Sequence, residues 1–175
     1  MKQKTKVTYE DNKMREIFIE KLVLSGRGVN EELNKSFKLL KKISKKTPSR
    51  RISTKRIPAF NVRPKLEVGV LVTIRGKEIK DLLRRLLAVN DNIIKKKQVE
   101  ENHFSFGIEE YIEIPGEEYD REIGIIGFEA TVVFARKGKR VNRRKIKQGR
   151  LPQKQHVKKE EIIKFMEDNF KTKFK

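Results

Sequence analysis

Cysteine is absent from the 175 residues, and there are only two histidines, His103 and His156. Disulfides and thiolate metal sites are therefore excluded, and two imidazoles are too few for the usual zinc constellations, so neither metal nor other cofactor is expected. No apolar run approaches the roughly 18 residues of a membrane span. The polar start Met1-Lys2-Gln3-Lys4-Thr5-Lys6 leads into no apolar signal core. These absences lead us to expect a soluble, intracellular chain with no membrane partner. Gly26-Arg27-Gly28 is too short for a Walker or dinucleotide loop, so no small-molecule substrate is expected either. The apolar fraction of 36% is low beside the charged 39%, and a core must be drawn from Ile, Leu, Val and ten Phe. The length fits one domain over residues 1–175.

What is abundant is positive charge, +20 formally. The signs are sorted rather than mixed. Residues 41–65 hold ten Lys or Arg and no acid, residues 137–150 hold eight and no acid, and residues 109–122 hold seven carboxylates against the single Arg121. Self-repulsion on this scale calls for a permanent anionic partner, and the acidic block calls for a second, protein-facing side. RNA or DNA is the expected partner.

Along the chain, a polar tail to residue 12 precedes Ile17-Phe18-Ile19-Glu20-Lys21-Leu22-Val23-Leu24, which reads as a strand stopping at Ser25-Gly26. Asn30 is positioned to cap a helix whose apolar stripe is Leu33, Phe37, Leu40 and Ile43, with Lys35, Lys38 and Lys42 opposite. Thr47-Pro48 ends it. Residues 49–64 read as an exposed basic loop, with an edge strand possible over 50–57. Leu66 to Ile74 reads as a strand, and the helix after Lys77 buries Ile79, Leu82, Leu83, Leu86 and Leu87. Residues 91–102 read as irregular. Phe104, Phe106, Ile108, Ile112 and Ile114 alternate as in a half-buried strand, and Phe128, Ala130, Val132 and Phe134 repeat the pattern. A basic extension, 137–157, should lack structure without a partner. A last helix places Ile162, Ile163, Met166 and Phe170 on one face. The sum is α+β: an antiparallel sheet of four or five strands with helices packed on one face, close to the ferredoxin-like pattern.

Three constellations carry the functional reading. Arg50, Arg51, Lys55 and Arg56 on the loop, and Lys139, Arg140, Arg143, Arg144 and Lys145 on the extension, reach phosphate oxygens; their bland readings are a solvated loop and a localisation signal. Glu109, Glu110, Glu113, Glu117, Glu118 and Asp120 follow one another along a strand and its loop. A solvated face or a contact with a basic protein fits that arrangement better than carboxylates converging on a nuclease metal. Phe104 and Phe106 are core residues or base-stacking aromatics. Neither histidine has a neighbouring nucleophile, so no catalytic residue is nominated and the chain is not expected to be an enzyme.

An ordered set of stretches resembles one family, the universal large-subunit ribosomal protein five, in its archaeal and eukaryotic branch. The carriers are Asn12-Lys13-Met14-Arg15-Glu16, Lys21-Leu22-Val23-Leu24, Thr47-Pro48, Thr73-Ile74-Arg75-Gly76, Phe104-Ser105-Phe106-Gly107-Ile108, Ile114-Pro115-Gly116, and Tyr119-Asp120 with Ile123-Gly124-Ile125 and Gly127. The resemblance implies a structural constituent of the large ribosomal subunit that binds 5S rRNA in the central protuberance, lies near P-site tRNA and reaches the small subunit. Its 5S contacts correspond to Ser25, Lys46 and Thr73, of which only the threonine matches the family's residue. The loop after Thr47-Pro48 implies tRNA-side roles for Arg50, Arg51, Lys55 and Arg56, although Pro58 stands where relatives usually carry a basic residue. Glu117, Glu118, Tyr119 and Asp120 correspond to the bridge toward a basic small-subunit protein. Implied partners are 5S rRNA, large-subunit rRNA, P-site tRNA and neighbouring ribosomal proteins. The implied location is the cytoplasmic ribosome, with a nuclear assembly stage if the source is eukaryotic. A free-standing RNA-binding module or RNA chaperone is the alternative.

Overall fold

A computed structural model describes residues 12–175; the polar tail expected at the start lies outside the described residues up to residue 11. The central sheet follows from three period-two segments. β1 (Ile17–Arg27), β3 (Glu67–Ile74) and β7 (Phe128–Arg136) are long strands, joined by β2 (Ser49–Ile52), β5 (Val99–Glu100) and β6 (His103–Ile108) in the order β2-β3-β1-β7-β6-β5. Every pairing in it is antiparallel. Six strands thus replace the expected four or five, because two short edge segments are recruited by backbone pairing that no side-chain pattern announces.

Residues opposite one another in a sheet share a face, so the register separates core from surface. Ile74, Leu22, Val132 and Phe104 form one inward row, and Val72, Leu24, Ala130 and Phe106 the next; all eight are buried. Against this face pack α1 (Glu31–Ser44), α2 (Glu78–Val89) and α4 (Lys159–Phe170). α1 buries Leu33, Leu39, Leu40 and Ile43, α2 its five expected apolar residues, and α4 Ile162, Met166 and Phe170. α1 approaches closely where β1 carries Gly26, since a Cβ there would stand 3.0 Å from the Ser36 Cβ. An aromatic chain ties α4 down: Phe106, Phe104 and Phe134 stack at 5.9 and 5.8 Å, and Phe165 meets Phe134 edge-on at 5.6 Å.

Several expectations are corrected. Asn30 makes no side-chain cap hydrogen bond with α1; its φ is 54° and only its backbone carbonyl engages, accepting from Asn34 N. β1 continues past Leu24 to Arg27, because Ser25 is paired on both sides, with Leu71 and with Glu129. The strand through Phe104 ends at Ile108, and Tyr111–Glu113 is a single 3-10 turn, so Ile112 and Ile114 leave the alternation. The stretch 91–102 is less irregular than its polarity suggests. It holds β5 and also β4 (Ile93–Ile94), which pairs in parallel with β8 (Lys173–Phe174) at the end of the chain. The ferredoxin-like likeness holds for the antiparallel sheet with helices on one face, while the main elements run β-α-β-α-β-β-α.

Candidate nucleic-acid interface

The face of the sheet away from the helices is left bare. Its rows are Thr73, Val23, Thr131 and Ser105, then Ser49, Leu71, Ser25, Glu129 and Gly107. Small hydroxyl side chains therefore line it across five strands. Ser105 and Thr131 are hydrogen-bonded to each other at 3.0 Å. An open depression of about 560 Å³ runs along Ser25, Arg27, Ser105, Gly107 and Glu129. The one acid on it, Glu129, is held at 3.0 Å by Arg27. Gly69 of β3 lies opposite Arg27 on one side and Arg51 on the other, so two exposed guanidinium groups flank a position with no side chain.

The nominated residues are sorted by this geometry. Ser25 and Thr73 share the bare face on adjacent strands, offset by one diagonal step of about 7–8 Å. Lys46 follows the α1 C-terminus, where Lys45 takes the left-handed conformation, and its ammonium lies 2.9 Å from Glu78 at the start of α2. Lys46 and Ile74, the neighbour of Thr73, line one depression, which brings Lys46 to the end of β3 that carries Thr73, while Ser25, opposite Leu71, lies two residues back along that strand.

The expected exposed loop is partly sheet, and its arginines are not equivalent. Arg50, opposite Val70, turns to the helix side: it donates to Glu67 Oε2 at 2.7 Å and to Asn34 Oδ1 at 3.0 Å, and lies 5.4 Å from the Phe37 ring centre. Arg51 points to the bare face. Lys55 and Arg56 are exposed and make no ion pair among the described residues.

The extension, expected to lack structure, carries α3 (Arg140–Arg143) and is tied to the start of the sheet by two acids, Glu20 and Glu16. Register slips between Ile19 and Lys21 of β1, and such a bulge re-aims a side chain. Glu20 at that bulge, with its side chain 13% exposed, accepts from Lys139 Nζ at 2.5 Å and from Arg143. Burial pushes the Lys139 ammonium below its ordinary value. Lys137 pairs with Glu16, holding that carboxyl below its ordinary range by hydrogen bond and charge. Arg140, Arg144 and Lys145 remain exposed and form no ion pair among the described residues. Sequence reading missed Glu20; the available signal was the one acid in a largely apolar strand.

The acidic segment folds back on the helices. Arg85 of α2 donates to Glu117 at 2.8 Å and to the Pro115 carbonyl, and Lys42 of α1 donates to the Glu118 carbonyl at 3.0 Å. Lys38 pairs with Glu122 at 2.5 Å, a hydrogen bond and charge that raise its ammonium above the ordinary value. Asp120 spends its backbone N–H on the Tyr111 hydroxyl and one carboxylate oxygen on Glu122 N. Of the nominated bridge residues, Glu117 is thus taken up internally, while Tyr119 is 55% exposed. Among the described residues no group of three or more His, Cys, Asp or Glu could hold a metal, and no helix is long and apolar enough to cross a membrane.

The model of the C-terminal region of the ribosomal L5 family matches residues 67–165. Large ribosomal subunit protein uL5 of Methanoregula boonei is 40% identical over 160 residues, covering 90% of this chain and 97% of that protein. The uL5 of Nanoarchaeum equitans is 42% identical over 161 residues, 90% and 95% respectively. The uL5 of Sulfurisphaera tokodaii is 37% identical over 163 residues, 91% and 92%. The chain belongs to the uL5 family, in its archaeal branch. A uL5 protein is a structural, non-enzymatic part of the large ribosomal subunit, and the sorted charge is that of a chain living against rRNA. The family model begins at β3, so the strand that carries Thr73 and the acidic segment lie inside it, whereas Ser25, Lys46 and the loop arginines lie before it.

Proposed function

We propose that this uL5 protein holds 5S rRNA in the central protuberance on the bare face of its sheet, with Ser25 and Thr73 donating hydrogen bonds and Lys46 standing at the edge. The observation that carries this reading is the face itself: each of five strands places one small hydroxyl side chain on it, with Arg27 at the margin beside Gly69. Duplex RNA offers a wide, shallow minor groove lined by 2′-hydroxyls, and hydroxyl side chains on a flat sheet can lie against it where bulky ones could not. Arginines at the margin then take phosphate oxygens.

Arg51 of β2 and the exposed Lys55 and Arg56 of the loop beyond it serve the P-site tRNA, while Arg50 acts by bracing β2 against α1. Arg140, Arg144 and Lys145 of the extension contact large-subunit rRNA, with Lys139 and Arg143 setting the direction of α3. The exposed Tyr119, with Glu118 beside it, faces a basic small-subunit protein across the subunit interface.

The test is sedimentation. The protein should travel with the large subunit in low salt and leave together with 5S rRNA in high salt. With about six phosphates neutralised, binding of purified protein to 5S rRNA should fall with a log-log salt slope of about −4 to −5. Thr73→Ala should weaken 5S binding, and Arg51→Ala plus Arg56→Ala should leave most of it while disturbing tRNA handling. Equal loss of 5S binding in both variants would contradict the division.

A further inference from the structure

Phe60 is the most exposed aromatic among the described residues, at 75%. It stands on a small turn that is held from both ends. Ile57 N donates to Val62 O at 2.9 Å and Val62 N to Ile57 O at 3.1 Å, closing a six-residue tip. Inside it, Pro58–Phe60 forms one 3-10 turn, Pro58 fixes its own φ, and Asn61 takes φ 52°, a conformation asparagine tolerates better than most residues. Below the tip, Ser53 N donates to Leu66 O and Lys65 N to Ser53 O, both at 2.8 Å, so the stem is closed as well. Val62, on the same turn, is buried. The tip therefore buries Val62 in its own packing and holds Phe60 in water on a closed turn, with Ile57 at its base 42% exposed.

Its surroundings name the occupant. Lys55, Arg56, Arg63 and Lys65 flank the tip, and the acid-free stretch 41–65 runs through it. A cationic rim around one presented ring is unsuited to an apolar or basic protein surface. It suits an anionic backbone carrying a flat apolar group. We infer that Phe60 is a stacking platform for one unpaired RNA base, with the flanking cations gripping the phosphates on either side. Preorganisation makes this effective, since a ring already fixed on a closed turn loses little freedom on binding. The inference rests on the RNA reading above but adds a residue and a ligand class to it: single-stranded or looped RNA rather than duplex.

The chain has no tryptophan, so Phe60→Trp would introduce a unique emission reporter at the tip. The full chain, as wild type, Phe60→Trp, Phe60→Leu and Arg56→Ala, is titrated with a hairpin RNA bearing an unpaired loop and with a blunt duplex of the same stem. Phe60→Leu should lose roughly 5- to 100-fold in affinity for the hairpin, the range of one base–aromatic stack, with an unchanged salt slope and unchanged duplex binding. Phe60→Trp should bind the hairpin like wild type, and its emission should be quenched by hairpin only. Arg56→Ala should instead flatten the salt slope on both RNAs. Wild-type hairpin affinity in Phe60→Leu, or equal losses on both RNAs, overturns the stacking role and leaves the RNA reading intact. Failure of the wild type to bind either RNA removes the RNA reading, and the stacking role with it.

Discussion

Arg136, the last residue of β7 and only 4% exposed, reaches both carboxylate oxygens of Glu161 in the first turn of α4 at 2.6 Å. Burial alone would raise the Glu161 carboxyl, but the Lys158 backbone N–H and the Arg136 guanidinium outweigh it and hold the group below its ordinary value of 4.5. The pair docks the C-terminal helix on the sheet. Removing the acid strands a buried cation, so Glu161→Ala should cost about 3 kcal/mol, the low end for a broken buried pair because Glu161 is itself partly exposed. Urea unfolding at neutral pH measures this; a loss within 0.5 kcal/mol, the size of an ordinary surface substitution, would show the pair to be ornamental.

The same carboxyl predicts a pH dependence. A group whose folded value is depressed stabilises the native state above its unfolded value, and that stabilisation is lost as pH falls through the folded one. The gap in urea midpoint between wild type and Glu161→Gln should therefore be full at pH 7 and close progressively below about pH 4.5, where the unfolded carboxyl titrates. A gap that stays constant down to pH 3 would assign it to packing instead.

Gly127 sets how the acidic segment enters β7. A Cβ there would lie 2.5 Å from the Ile108 carbonyl oxygen and 2.6 Å from that of Glu109, backbone atoms with nowhere to go. Gly127→Ala should cost at least about 2 kcal/mol, by the logic of overpacking. Thermal unfolding against Gly107→Ala, where a Cβ meets nothing within 4 Å, isolates the clash from the general effect of replacing glycine in a sheet.

Phe104 is fully buried between Phe106 and Phe134, which decides between the two readings of the Phe-Ser-Phe stretch in favour of core. Phe104→Ala should destabilise by about 3–5 kcal/mol. RNA affinity of the fraction that remains folded should not change. Ser105→Ala, on the other face, should do the reverse, and filter binding at a temperature where both variants are native compares them.

Arg50 and Arg51 are neighbours in sequence on opposite faces of β2. Arg50→Ala should lower stability by about 1 kcal/mol through its half-exposed pair with Glu67 and its contact with Phe37, leaving the salt slope of RNA binding unchanged. Arg51→Ala should leave stability within 0.5 kcal/mol and reduce the slope by about 0.7–0.9, one phosphate's share.

The helices and long strands were legible because each buries a periodic set: the α2 stripe from Ile79 to Leu87 and the β7 alternation from Phe128 to Phe134 correspond residue for residue to the core. Edges were not. β2 is exposed at all four of its residues, and β4 and β5 have two residues each, so backbone pairing alone defines them. The hydroxyl face was invisible for a different reason: Ser25, Thr73, Thr131 and Ser105 are far apart in the chain, and only the register makes them neighbours. The cationic blocks were plain to read, but their internal allocation was not, since nothing near Lys139 and Arg143 in sequence points to Glu20 more than a hundred residues earlier.

Residues 115–122 close over Lys38 and Lys42 of α1 and Arg85 of α2, and two of those cations, Lys38 and Arg85, are met there by carboxylates. Carboxylates gathered over the helices, with the acid-free blocks elsewhere in the chain, bias the approach of a polyanion away from that segment. Collisions in the wrong orientation are discouraged before any contact forms, so a small chain bearing +20 charges can still dock one way round.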